Sequence, residues 1–128
     1  MDKQEVIRTY SAAALAYIGD AAFEVYVRDF LVRSGENVNI LHRKAKEFVC
    51  AAAQSSFMTF LEPVLTEEEM SVYRRGRNAK CHSHPKNADL AEYHRATGFE
   101  ALFGFWHLSG DFIRQQEIFD CILTHRAN

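Results

Sequence analysis

Two carboxylates stand where this sequence makes a charge expensive. Asp20 interrupts the most apolar run of the chain, Ala12 to Ala22, and Glu100 lies inside Phe99-Glu100-Ala101-Leu102-Phe103. An unpaired carboxylate in such surroundings is costly unless a cation, a proton or hydrogen bonds offset it. Each acid has a glycine at hand, Gly19 directly before Asp20 and Gly104 one turn after Glu100. Glycines let helix backbones approach closely, so the two acids are candidates to meet across a helix crossing. Carboxylates brought together in an apolar setting repel one another unless a cation or proton lies between them. A hard cation such as Mg²⁺ takes an oxygen-rich set of this kind and keeps several of its waters. Glu24, one turn after Asp20 on the same face, is a candidate accessory acid, with a salt bridge as its plain alternative.

The opposite charge is concentrated elsewhere. Between Ser71 and Lys86 lie Arg74, Arg75, Arg77, Lys80 and Lys86, with no acid among the sixteen residues. A solvated loop would account for this. So would a phosphate-contacting loop, in which arginine forks, lysine point charges and the amide of Asn78 grip a polyanion. The formal net charge of −2 conceals the asymmetry, because the rest of the chain carries ten bases against seventeen acids. Cys81, His82 and His84, with His94, His107 or Cys50 to complete a soft-metal set, match no established zinc spacing and read as ordinary residues. No serine or cysteine sits in a nucleophile-elbow pattern, and no glycine-rich phosphate loop precedes a helix.

The elements that must carry these groups read as helices. Apolar residues recur at helical spacing from about Ser11 to Ser34, with Gly35 as the stop. A second helix is expected from a cap at Asn37 or Asn39 through to about Leu61, where Pro63 follows. Thr66-Glu67-Glu68-Glu69 is a capping box for a short helix ending near Gly76. Residues 76–86 lack periodicity and read as a loop. Helical spacing resumes near Asn87 and runs to Gly110, and a last helix begins after Asp111. Five or six helices and no strand are expected, hence an all-α class.

The 128 residues, 48% hydrophobic and 25% charged, suit a single globular domain over 1–128 and exclude wholesale disorder. Three cysteines without paired spacing fit a reducing compartment, and the polar Asp2 to Glu5 opening is no signal peptide. No apolar stretch is long enough to cross a bilayer. A cytoplasmic protein with no membrane partner is the expectation.

Three blocks also carry a family likeness. Leu15-Ala16-Tyr17-Ile18-Gly19-Asp20-Ala21-Ala22-Phe23-Glu24 resembles the signature helix of the ribonuclease III family, and Phe99-Glu100-Ala101-Leu102-Phe103-Gly104 resembles its second acidic helix. Between them, Tyr73-Arg74-Arg75-Gly76-Arg77-Asn78-Ala79-Lys80 and Pro85-Lys86-Asn87 are similar to the short bacterial relatives called Mini-ribonuclease III. The likeness spans about Leu15 to Leu108. It implies a homodimeric, all-helical endonuclease domain that hydrolyses phosphodiesters of double-stranded RNA, not DNA, with Mg²⁺ (Mn²⁺ substituting), leaving 5′-phosphate and 3′-hydroxyl ends. It further implies maturation of 23S ribosomal RNA ends from precursor stems, with ribosomal proteins as potential helpers, and no separate double-stranded-RNA-binding domain.

On that likeness Asp20 and Glu100 are the catalytic, metal-holding acids, and Arg74, Arg75, Arg77, Asn78, Lys80 and Lys86 are the RNA contacts. Ala16 and Thr97 stand where the larger family members carry further acids. Two other readings therefore stay open. One is a catalytically inactive RNA-binding or ribosome-assembly module of the same fold. The other is a helical interaction dimer using Tyr26, Phe30 or Phe57.

Overall fold

The computed structural model describes residues 1–80 and 89–127. Those residues form seven α-helices and one 3₁₀ turn, with no strand among them. In chain order the helices are α1 (Lys3–Thr9), α2 (Ala12–Val32), α3 (Val38–Val49), α4 (Ala51–Leu61), α5 (Glu67–Arg77), α6 (Leu90–Leu108) and α7 (Phe112–Ala127), with the turn at Glu62–Val64.

Short polar side chains start most of them. Asp2, Ser11, Asn37, Thr66, Asp89 and Asp111 each accept a hydrogen bond from the backbone N–H three residues on, which satisfies a donor with no partner inside the helix. At Thr66 the bond is reciprocated, since the Glu69 carboxylate accepts from the Thr66 N–H at 2.9 Å.

The expected long helix from Asn37 to Leu61 is two helices. Cys50 is extended (φ −69°, ψ 154°) and serves as the last cap of α3 and the first of α4. No glycine or proline marks the break. Its reason is tertiary: α3 packs on α2, whereas α4 turns to run along α6. Both halves keep an apolar face, so helical spacing continues across the joint. α1, which carries a single buried residue, Val6, is also absent from the apolar periodicity of the sequence.

α6 is the axis of the molecule, packed against α2, α4, α5, α7 and α1. From Ala101 to Trp106 it is buried on every side, as a helix must be when it is apolar all round. Around it Phe23 meets Phe99 and Phe103 edge-on, with ring centres 4.8 and 5.1 Å apart. Phe57, one candidate interface residue, belongs to this core, and Tyr26 donates its hydroxyl hydrogen to Gln115 at 3.0 Å.

Two glycine contacts set the backbone spacing. A Cβ on Gly19 would lie 1.7 Å from the Glu100 carbonyl oxygen, and one on Gly104 would lie 1.9 Å from that of Leu15. No side chain fits at either place, so α2 and α6 touch backbone to backbone. Gly76 and Gly98 do the same for α5 and α6, with a Gly76 Cβ falling 2.8 Å from the Gly98 Cα.

A half-buried ion pair adds a further tie. Glu69, 3% exposed, accepts hydrogen bonds from Trp106 and from two nitrogens of Arg114, each at 2.9 Å. It thereby ties α5 to α6 and α7.

Candidate functional site

The α2–α6 contact brings Asp20 and Glu100 together. Gly19 fits against the backbone of Glu100 itself, so the next residue of α2, Asp20, emerges beside the Glu100 side chain. Both carboxylates line an open cavity of about 320 Å³. Asp20 is exposed and Glu100 half-buried. Burial, reinforced by the charge and hydrogen bonding of the Asp20 carboxyl, pushes the Glu100 carboxyl up to about 8, against a smaller downward pull from Gln54. At neutral pH Glu100 therefore keeps its proton unless a cation takes its place.

Ala16 and Thr97 also line this cavity. Neither offers a negative charge, and the Thr97 hydroxyl donates to the Tyr93 carbonyl at 3.0 Å. The donor set is thus two carboxylates from facing helices, and no group of three or more His, Cys, Asp or Glu that could hold a metal occurs among the described residues. Oxygen-only donors, a mutual repulsion that a cation would relieve, and an open cavity for retained waters suit a small hard cation. They do not suit a closed zinc centre, which needs four protein ligands.

Glu24 is engaged elsewhere, pairing with Arg28 one turn on at 3.4 Å. The basic block separates into distinct roles. Lys80 reaches the acid-lined cavity, joined there by His94. Arg74 and Asn78 are exposed at the end of α5. Arg77 lies over the Tyr73 ring at 5.6 Å and donates to the Asn78 side chain at 3.3 Å. Arg75 turns inward and donates to the carbonyls of Ile7 and Tyr10, at 3.3 and 3.0 Å, pinning the end of α1. Lys86, like Cys81, His82 and His84, lies outside the described residues.

Gln54 and Tyr17 are additions to the residues that the sequence singles out, and His94, weighed there only as a soft-metal ligand, borders the acids instead. Gln54 carried a signal: it is the only long polar side chain in Ala51-Ala52-Ala53-Gln54-Ser55-Ser56-Phe57-Met58, and it is 1% exposed. Nothing in the sequence put His94 or Tyr17 beside the acids, because only the fold tells which faces of α6 and α2 border them.

An all-helical domain with paired acids at a glycine-mediated crossing of two long helices defines the chain as a ribonuclease III domain, and the family model of that description matches residues 13–111. A crystal structure of a Fusobacterium nucleatum protein superposes with a TM-score of 0.86 at 29% identity, covering 94% of this chain and 98% of that one. The chain is 50% identical to the Mini-ribonuclease 3 of Enterococcus faecalis over 113 residues, covering 85% of this chain and 86% of the relative. It is likewise 50% identical to that of Symbiobacterium thermophilum over 111 residues, covering 86% and 85%. The chain belongs to the Mini-ribonuclease 3 family.

Proposed function

We propose that this protein is an endoribonuclease that hydrolyses phosphodiester bonds of double-stranded RNA at the Asp20–Glu100 pair, with Mg²⁺ as its cofactor. The observation that carries the reading is the meeting of these two acids in one open cavity, where Asp20 adds to the burial that makes a charge on Glu100 costly without a cation. When bound, a divalent ion supplies an acidified water for attack on phosphorus and offsets charge on the phosphoryl and leaving 3′ oxygens. Mn²⁺, with similar oxygen preference, is expected to substitute.

The chain's own residues supply the rest. Asp20 and Glu100 hold the ion, and Glu100 gives up its proton to do so. Lys80, at the cavity, draws a backbone phosphate toward the acids. Arg74, Arg77 and Asn78 add contacts along the strand, joined by Lys86. Two of the Arg75 donors are already used on backbone carbonyls, so its share is smaller. Phosphate and 2′-hydroxyl contacts read the A-form shape, because the deep major groove hides base edges. DNA is therefore a poor substrate.

A homodimer fits the same reading. Tyr17, Ala21, Val25 and Val32 are exposed along one face of α2, with Tyr17 84% and Val25 66% accessible. Two copies joined there would present two acid pairs to opposite strands of a duplex. The helices of 1–128 act in this reading as one catalytic domain. Family membership favours precursor 23S ribosomal RNA stems as substrate, with ribosomal proteins presenting them. No described helix is long and apolar enough to cross a membrane, which agrees with work in the cytoplasm.

Ala16 and Thr97, in place of further acids, favour one rival, a module of this fold that binds RNA without cutting it. Incubation with a precursor 23S stem and with a generic RNA duplex, mapping both strands at nucleotide resolution, separates the two. Mg²⁺-dependent cuts on both strands with 5′-phosphate and 3′-hydroxyl ends support the nuclease. Salt-sensitive binding with no cut in Mg²⁺ or Mn²⁺ supports the rival.

A further inference from the structure

Beside Glu100 the structure holds an unspent donor. Gln54 projects from the first turns of α4 and is 1% exposed, yet its Nε2 has no hydrogen-bond partner among the described residues. Buried amides are almost always paired. Gln54 and Glu100 line a common cavity of about 230 Å³ together with Thr97 and Ala96. The amide is close enough to pull the Glu100 carboxyl downward, but it completes no hydrogen bond to it in this conformation. Tyr93 and Thr97 line the same cavity, and Thr97 donates its hydroxyl hydrogen to its own helix.

We propose that Gln54 is a positioning residue: its side-chain N–H donates to the Glu100 carboxylate and orients it toward Asp20 when the pair holds a divalent cation. The proposal rests on the reading of Asp20 and Glu100 as the ion-holding acids. A carboxylate that binds a metal through one oxygen leaves its other oxygen to be held, and such outer hydrogen bonds tune metal affinity. In this chain the need is acute, since Ala16 and Thr97 provide no third or fourth acid. α4 can supply the donor only because the break at Cys50 swings it onto α6.

A space-filling role for Gln54 predicts something different. An apolar side chain of similar size would remove an unpaired buried amide, leaving folding unharmed or improved and metal binding unchanged. The test is therefore Gln54→Leu, with Gln54→Met as a second variant should leucine fail to pack. Mn²⁺ alone is titrated into the metal-free protein and followed by electron paramagnetic resonance, alongside melting temperature and duplex-RNA binding without divalent ions. The expected result is a melting temperature equal to or above wild type, unchanged RNA binding, and Mn²⁺ affinity weakened about 10–100-fold. In the wild type, the Gln54 side-chain amide resonance should move as Mg²⁺ is added, a readout independent of any variant.

Wild-type Mn²⁺ affinity in a folded Gln54 variant, or an amide resonance that ignores Mg²⁺, would overturn the role of Gln54 while leaving the acids in place. Wild-type protein that binds no Mn²⁺ would overturn the reading of the acids and this proposal with it.

Discussion

Glu100 concentrates the chemistry of the site in a single group. Its carboxyl is raised to about 8 by burial first and by Asp20 second. A carboxyl whose folded value exceeds its unfolded value stabilises the fold while protonated. That contribution is complete below the unfolded value of about 4.5 and is lost as pH rises toward 8. The metal-free protein should therefore lose heat stability between those limits, while Glu100→Gln should not. At pH 8.5 the variant should be more stable than wild type by about 1–3 kcal/mol, since each tenfold change in proton affinity is worth about 1.4 kcal/mol and solvent screens part of it. Calorimetry in chelator across the range checks this, and added Mg²⁺ should narrow the gap. Equal pH profiles for the two proteins would mean that neither burial nor Asp20 raises the Glu100 carboxyl. Divalent affinity should rise with pH over the same interval, because the ion must displace the Glu100 proton.

At the scale of elements, the helices were legible in the sequence where local chemistry sets them. Ser11, Asn37, Thr66 and Asp111 cap as their side chains dictate. Gly19 and Gly104 do mark the close approach that brings the acids together. The break at Cys50 was not legible, because it is imposed by α4 packing on α6 and leaves apolar spacing intact. For the same reason Gln54 was visible as an odd polar residue but not as a neighbour of Glu100. Glu69 reads in sequence as a capping-box glutamate only. Its partners Trp106 and Arg114 lie 37 and 45 residues away.

That network carries a prediction for the fold. Burial alone would raise the Glu69 carboxyl, but the bonds from Arg114, the Thr66 N–H and Trp106 outweigh it and hold the group below its ordinary value. A lowered carboxyl contributes stability that is present above about 4.5 and is lost as pH falls through the folded value. Glu69→Ala should cost about 3–5 kcal/mol at pH 7, since it strands the Arg114 charge and the Trp106 N–H. The penalty should shrink below pH 4. Urea denaturation at the two pH values measures both, and a penalty under about 1 kcal/mol at pH 7 would remove Glu69 as a structural anchor.

For the whole molecule, net charge is the wrong scale at which to judge an RNA-binding protein. The value of −2 averages a segment of five bases against a body rich in acids. The fold then sorts that segment further, sending Lys80 to the acids and Arg75 into the packing of α1. Assembly belongs to this scale as well. Val25→Glu places a charge on the exposed apolar face of α2 without touching the core. It should convert a dimer to monomers in sedimentation while preserving helicity, and it should reduce paired cutting of both strands. A Val25→Glu protein that remains dimeric would move the interface to another face.

The central claim is that Asp20 and Glu100 act together as one cleavage site. The most direct measurement compares Mg²⁺-dependent cleavage of a perfect RNA duplex by wild type, Asp20→Asn and Glu100→Gln, with folding and RNA binding checked in each. The account predicts cleavage by the wild type and a loss of about 10²-fold or more in either variant, with binding retained. Cleavage that survives either substitution in a folded protein would contradict it.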